Sequence, residues 1–341
     1  MLYVETESTD AAFHFSVEEY FMRHIQPDMP VIMLWQADKC AMLGNYQVAD
    51  AEVNRNFAQK ERIRIVRRPS GGGTIFTDMG TFLYTVIYAH TEQCTQEAAK
   101  KKVADLVVDV LNEIGLAAKV EGRNDILLDG KKISGMAQHI RGSRICTHGS
   151  LLYDTDLDML TDVLNVDEGK IQSKAIRSIR SRVTNIREYM DNACTTQEFG
   201  RILKQKLFEH MKSENRELKE HVPNSQEREE IERIYREKFG NDSWTFGRSP
   251  EFSFHNSVRF AEGKVEVFLN IVEGAVASCS IHGDFLGTVP IRGLEELLEK
   301  KAFQYQAISD ALEGIPLAPY LGGITKEQLL SCMFSQAEGS V

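Results

Sequence analysis

The sequence predicts an α+β chain, with mixed, largely antiparallel sheets in a large first unit and a small α/β unit after it. Three observations carry that reading. Strand-like segments follow one another through short turns, which suits antiparallel pairing and not the helix-linked parallel sheet of an α/β fold. The chain has 341 residues, long enough for a large core and more than one domain. A collection of turn formers with a proline, "GNDSWTFGRSPEF" (240–252), interrupts the pattern late in the chain. Residues 1–243 are therefore assigned to the first unit and 246–341 to the second.

In chain order, "FHFSVEEYFMRHI" (13–25) reads as an amphipathic helix. "VIMLWQ" (31–36) and "CAMLG" (40–44) read as a pair of short apolar strands. "AEVNRNFAQKER" (51–62) is a surface helix leading into the strand "IRIVRR" (63–68). "TFLYTVIYA" (81–89) is a strand rich in β-branched and aromatic residues. A helix over 96–115 ends at Gly115, a residue suited to a helix cap. Short strands follow near 118–121, 125–128 and 132–138, then one over 144–154; from 156 to about 240 the pattern is mostly helical and charged. In the second unit Val265, Val267, Leu269 and Ile271 alternate onto one face, and "EGA" (273–275) turns the chain into "VASCSIHG" before the closing helices.

The formal charge of −10 argues against a general nucleic-acid or anionic-membrane binder, so a bound anion must meet local positive charge. Cys40, Cys94, Cys146, Cys194, Cys279 and Cys332 are scattered with no CxxC, which fits reduced thiols better than disulfides or a zinc site. The N-terminus lacks a basic-then-apolar leader pattern, and no apolar run approaches the ~18 residues of a membrane span. A cytoplasmic location is the expectation.

In "IVRRPSGGGTIF" (65–76) two arginines precede three glycines. It is not a P-loop, because no lysine follows at the required position, and it is not GxGxxG, because Phe76 stands at the third glycine. A strand–glycine–strand hairpin remains, either a flexible tip or bare backbone against which a ligand lies. Adjacent strand positions point opposite ways, so one of Arg67 and Arg68 faces a ligand.

"GRNDILLDGKKISGMAQ" (122–138) sets Asn124 and Asp125 at the start of an apolar strand. Period two groups Lys132, Ser134 and Met136; a lysine entering an apolar sheet needs an anion, and Ser134 and Gly135 clear space beside it. Lys131 is read as solvated. His148 is either a structural histidine or a site residue. "SKAIRSIRSRVTNIRE" (173–188), with Lys174, Arg177, Arg180, Arg182 and Arg187, is either a solvated face or a basic loop over a polyanion.

Taken together, "GNYQ" (44–47), "RRPSGGGTIFTDMG" (67–80), "GRNDILLDGKKISGMAQ", "HGSLLYD" (148–154) and "SIRSRVTN" (178–185) resemble the lipoate–protein ligase A family in order and spacing. Residues 249–287 look like that family's C-terminal accessory domain. The resemblance implies a biotin/lipoate ligase fold, related to class II aminoacyl-tRNA synthetases. It implies that ATP and lipoate form lipoyl-AMP, and that the lipoyl group then passes to a lysine of a lipoyl domain. The implied acceptors are the acyltransferase subunits of 2-oxoacid dehydrogenases and the glycine cleavage H protein; a monomer with a mobile C-terminal domain is expected.

Carried over residue by residue, Lys132 is the catalytic cation, with Mg²⁺ sharing the phosphate charge. Asn124 and Asp125 match the adenylate-contacting pair, with Asp125 a metal ligand or an orienting group for the lysine. Arg68 and Ser70 line the ligand pocket, Gly71, Gly72 and Gly73 form its wall, and Trp35 and His148 fall nearby. Ser134, Gly135, Arg144 and Arg180 complete the implied substrate and ATP contacts, Arg144 being preferred to Arg141 on strand spacing. Thr77, Thr81, Met136 and Thr147 depart from the family's usual residues. Two rivals stand: an octanoyltransferase of the same fold with Cys146 as nucleophile, and a non-catalytic lipoyl-binding protein. A biotin ligase is disfavoured because its basic glycine loop is missing.

Overall fold

The computed structural model describes residues 1–24, 29–122, 124–164, 182–190, 194–247 and 252–334. The first unit is built on β1 (Leu2–Val4), β2 (Val31–Trp35), β3 (Cys40–Leu43), β4 (Arg64–Arg67), β5 (Ile75–Thr77) and β6 (Thr81–Ala89). It continues with β7 (Lys119–Glu121), β8 (Asp125–Leu128), β9 (Lys131–Arg141), β10 (Arg144–Leu152) and β11 (Lys219–His221). Eight of these form one sheet in the order β11-β1-β2-β6-β10-β9-β8-β7, and β4-β3-β5 form a second. The pairs β1/β11 and β1/β2 are parallel, and the rest of the large sheet is antiparallel. The expected mixed, largely antiparallel α+β fold is what forms.

Helix α1 (Ala11–His24) buries Phe15, Phe21 and Met22 on one face of the large sheet, against Met33, Leu83 and Cys146. A later helix, Gln96–Glu113, packs Val103, Val110 and Leu111 on the other face with Tyr84, Ile126 and Ile133. Gly115 follows it at φ +95°, as the cap reading requires.

Several expectations are corrected. The helix expected over 51–62 is two short pieces, Ala49–Glu52 and Arg55–Lys60, because Asn54 restarts the helix by accepting the Phe57 N–H. β2 and β3 are not partners: they belong to different sheets. The glycine segment is not a hairpin, since β4 and β5 flank β3 on opposite sides, parallel and antiparallel to it. β1 and β11 were not expected; each is three residues long, too short to show a period.

In the second unit β12 (Phe254–Phe260), β13 (Gly263–Val272) and β14 (Ala275–Gly283) form a three-stranded sheet, with β12 an addition to the expected hairpin. Val265, Val267 and Leu269 are fully buried, and Glu273 (φ +51°) with Gly274 (φ +76°) makes the tight turn. This unit is docked on the first through backbone. Gly72 N–H donates to Phe285 O (3.1 Å), Gly283 N–H to Tyr46 O (3.0 Å) and Ile140 N–H to Thr288 O (2.9 Å). Tyr46 stacks on Phe285 at 4.9 Å. Among the described residues no helix is long and apolar enough to cross a membrane.

Candidate active site

A cavity of about 240 Å³ opens between the glycine loop after β4 and the first half of β9. Phe15, Trp35, Met42, Ile75 and Leu83 give it apolar lining, and Asn124 and Lys132 give it polar lining. Ligand sites for larger molecules run to about 300–1,000 Å³, so this one suits a slim acyl chain and not a whole nucleotide. Leu286 reaches it from the C-terminal unit.

Lys132 enters the cavity because β9 is bulged. Ile126 pairs with Ser134 but Leu127 pairs with Lys132, which leaves Ile133 as an extra residue buried in the core. The bulge resets the alternation, so the expected grouping of Lys132 with Ser134 and Met136 does not hold. Ser134 turns instead to the Tyr84 hydroxyl at 3.0 Å, and Met136 packs in the core. Lys132 shares its face with Gly135, where an added Cβ would stand 2.9 Å from Lys132 Nζ. The glycine is the space in which the ammonium lies.

Lys132 Nζ sits 2.8 Å from Asp125 Oδ1. Asn124 is pinned across the strand pair, its Nδ2 donating to Met136 O (3.0 Å) and its carbonyl accepting the Met136 N–H (2.8 Å). Where β10 stops, the chain after the basic segment takes over: Lys132 N–H donates to Arg182 O (2.7 Å) and Thr184 N–H to Lys132 O (3.0 Å). Arg180, with most of that basic segment, lies outside the described residues.

On the opposite wall, both arginines donate mainly to backbone carbonyls. Arg67 is fully buried, and its guanidinium donates to the carbonyls of Gly44, Asn45, Gln47, Trp244 and Thr245. Arg68 borders the cavity but donates to Ser70 Oγ (3.2 Å) and to the carbonyls of Met42, Gly71 and Gly73 (2.7–2.9 Å). Burial pulls it down to about 10, so it stays charged at neutral pH. Arg68 faces the cavity side as expected, yet its charge holds the loop in shape. The glycines divide their work. Gly72 (φ +94°) and Gly73 line the cavity, whereas a Cβ on Gly71 would come within 2.4 Å of Phe285 O.

A buried chain of polar groups runs behind the cavity. Trp35 Nε1 donates to Thr85 Oγ1 (3.1 Å), which donates to Glu18 Oε1 (2.6 Å). Both Glu18 oxygens lie 3.2 Å from His148 Nδ1, and His148 Nε2 lies 2.5 Å from Ser70 Oγ. Burial opposes ionisation of Glu18, but His148, His139 and Thr85 together hold it below the ordinary carboxylate range. His148 thus orients Ser70, which meets Arg68 and so the glycine loop.

Glu18 and Thr85 were not anticipated. Glu18 had a readable signal, because it falls at the apolar-face spacing of α1 with Phe15 and Met22. Arg144 does not join the cavity. It shares a strand face with His148 but lies four residues farther along β10, roughly 13 Å at strand rise, and is buried there with a 3.5 Å contact to Met29 O. Arg141 pairs with Glu19 at 2.7 Å instead. Cys146 is fully buried, and burial with Glu18 and Glu19 pushes its thiol far above the ordinary range. That is the opposite of an activated nucleophile.

This geometry meets its parallel in known proteins. The profile described as "Lipoyl protein ligase A/B catalytic domain" matches residues 10–208, and "Bacterial lipoate protein ligase C-terminus" matches residues 249–333. The chain belongs to the lipoate–protein ligase family. The lipoate-protein ligase LplJ of Bacillus subtilis (strain 168) is 34% identical over 335 residues, covering 98% of this chain and 100% of that one. Among solved structures, P. falciparum LipL1 in complex with lipoate superposes with a TM-score of 0.75 at 20% identity, covering 92% of this chain and 94% of that one. A lipoate-protein ligase A bound with ATP gives 0.63 at 24% identity, covering 72% of this chain and 98% of that one. The two structures share the fold. In the family's terms, Lys132, Asn124, Asp125, Gly72, Gly73, Trp35 and His148 of this ligase come together at one cavity, while Arg144 stands apart.

Proposed function

We propose that this chain is an ATP-dependent lipoate–protein ligase in which Lys132 is the catalytic cation. One observation carries the assignment of the lysine: an ammonium half exposed on an acyl-sized cavity, with Asp125 as its ion-pair partner and a glycine leaving it room. In the first step a lipoate carboxylate oxygen attacks the α-phosphorus of ATP, the bond to the β-phosphate oxygen breaks, and pyrophosphate leaves. Lys132 Nζ stabilises the charge that builds on the α-phosphate. In the second step an acceptor lysine amine attacks the acyl carbonyl, AMP leaves with the bonding electrons, and the amine gives up its proton. Lys132 again faces the oxyanion.

The Asp125 carboxylate, whose Oδ1 lies 2.8 Å from Lys132 Nζ, puts a hard oxygen donor beside the lysine where a divalent cation would meet the phosphates. Asp125 would hold Mg²⁺, which supplies phosphate charge neutralisation when bound. Trp35, Phe15 and Met42 bury the acyl chain, and Leu286 of the C-terminal unit helps to exclude water from it. Arg68, Ser70 and His148 act as positioning residues for the glycine loop. The reading extends to a monomer working in the cytoplasm on lipoyl domains of 2-oxoacid dehydrogenases and on the glycine cleavage H protein, with a domain boundary at residues 243–246.

The octanoyltransferase alternative needs Cys146 as nucleophile, and its burial with a protonated thiol speaks against it. The deciding experiment is lipoate-dependent ATP–pyrophosphate exchange. The wild type exchanges, and Lys132→Ala loses about 10²–10³-fold, the loss typical for one charge stabiliser. Wild-type protein without exchange refutes adenylation, and a non-catalytic binding protein would then be the better reading.

A further inference from the structure

Behind the cavity, β9 and β10 bring His139 and Cys146 directly opposite each other, and His148 follows two residues along the same face. One donor atom from each of the three lies within 4.8 Å of the others, and all three side chains are buried. Both ring nitrogens of His139 lack a hydrogen-bond partner although the residue is 7% exposed. An unpaired imidazole in such a place costs folding free energy unless something fills its coordination. Glu18, 0% exposed, stands at 3.2 Å from His148 and meets a hydroxyl and an imidazole as its close partners. Its neighbour Glu19 is different, being paired to Arg23, Arg141 and Lys238.

We propose that His139, Cys146 and His148, with Glu18 as fourth donor, form a binding site for a zinc-class divalent cation, and that occupancy switches off acyl activation. Two imidazoles, a thiolate and a carboxylate are a borderline-soft set suited to tetrahedral Zn²⁺. Their summed charge of −2 cancels the ion's, so the filled site is neutral in a low-dielectric place. On binding, Cys146 Sγ releases its proton to solvent and forms the metal–sulfur bond. A route in exists, because His139 also borders a separate cavity of about 680 Å³ between the two units. The switch follows from Glu18, which now faces His148 Nδ1 and accepts from Thr85. Ligation through Nδ1 ends the contact of His148 with Glu18, and drawing Glu18 to the ion takes it from Thr85 and so loosens the link to Trp35 on the cavity wall. The inhibition rests on the ligase reading; the cation site itself does not.

The test is titration of the full-length wild type with Co²⁺ and with buffered free Zn²⁺, alongside His139→Asn and Cys146→Ala. The wild type is expected to bind one equivalent, to show a thiolate-to-cobalt charge-transfer band, and to melt higher with Zn²⁺ than without it. Each variant is expected to lose about 100-fold or more in affinity, to lose the band in Cys146→Ala, and to melt at the same temperature with and without Zn²⁺. Pyrophosphate exchange should fall with zinc occupancy in the wild type and resist the same free Zn²⁺ in both variants. The proposal is overturned if folded wild type gives no cobalt–thiolate band, or if zinc inhibits the variants as strongly as the wild type. Should the wild type prove inactive in exchange, the band and the melting shift decide the cation site on their own.

Discussion

The two walls of the acyl cavity carry positive charge in opposite states. On the glycine-loop wall Arg67 and Arg68 are buried and spread their donors over the surrounding carbonyls. On the β9 wall Lys132 is 36% exposed in its side chain and has one carboxylate partner. A cation whose donors are largely committed to carbonyls fixes backbone geometry and has little left for a substrate. A cation held by one movable partner can exchange that partner for a phosphate or carboxylate oxygen. The motif richest in arginine is therefore scaffold, and the cation open to exchange is a single lysine.

The difference can be broken from the scaffold side first. Arg67→Met strands carbonyls on the Gly44–Gln47 loop and at Trp244–Thr245, and urea unfolding should show a loss on the order of 4 kcal/mol. Lys132→Ala should leave the same midpoint within about 1 kcal/mol, since its ion pair is partly solvated. Equal losses in both would erase the distinction between the walls.

A second, smaller test uses His14, which stacks on Trp35 at 4.3 Å and donates from Nε2 to Ser8 O (2.7 Å). Burial lowers it to about 4, against the raising influence of Ser8, Glu18 and Asp10. Between pH 6.5 and 4 the unfolded chain binds this proton and the folded chain does not, so its share of stability is intact above pH 6.5 and drains as pH falls. The full loss is on the order of 3 kcal/mol below pH 4. In His14→Gln the unfolding free energy should fall less steeply across that window; an unchanged slope would contradict the buried neutral ring.

Ser70→Ala removes the link between His148 and Arg68, and should cost about 1–2 kcal/mol with a rise in KM for lipoate greater than any fall in kcat. A pure kcat effect would instead put Ser70 at the reacting atoms. The smallest effect belongs to Lys131→Ala, since Lys131 is exposed: stability within about 0.5 kcal/mol and unchanged exchange.

Much of this was legible in the residues, and what was not has local causes. The β6 and β10 strands and the first helix were legible as elements, and the joint motifs named the family before any coordinate. Hairpin pairing of the glycine segment was misread because a strand's partner is a long-range fact, and β3 inserts itself between β4 and β5. Arg68 was read as a ligand cation because sequence shows charge but not the carbonyls that absorb it. Glu18 was not singled out, although its spacing with Phe15 marks the buried face. Arg144 was chosen on strand parity, which fixes a face but not a distance along it.

Parity also explains the pair of lysines. In an unbroken ladder the residues sharing a face with Gly135 would be Ile133 and Lys131, and Lys132 would point into the apolar layer beneath. The extra residue at Ile133 reverses that assignment, so it selects which of two identical neighbouring side chains lines the cavity. The role proposed for Lys132 is thus a matter of counting along the backbone. A spacing of three between a lysine and a glycine, odd where a plain strand demands even, is the mark it leaves in the sequence.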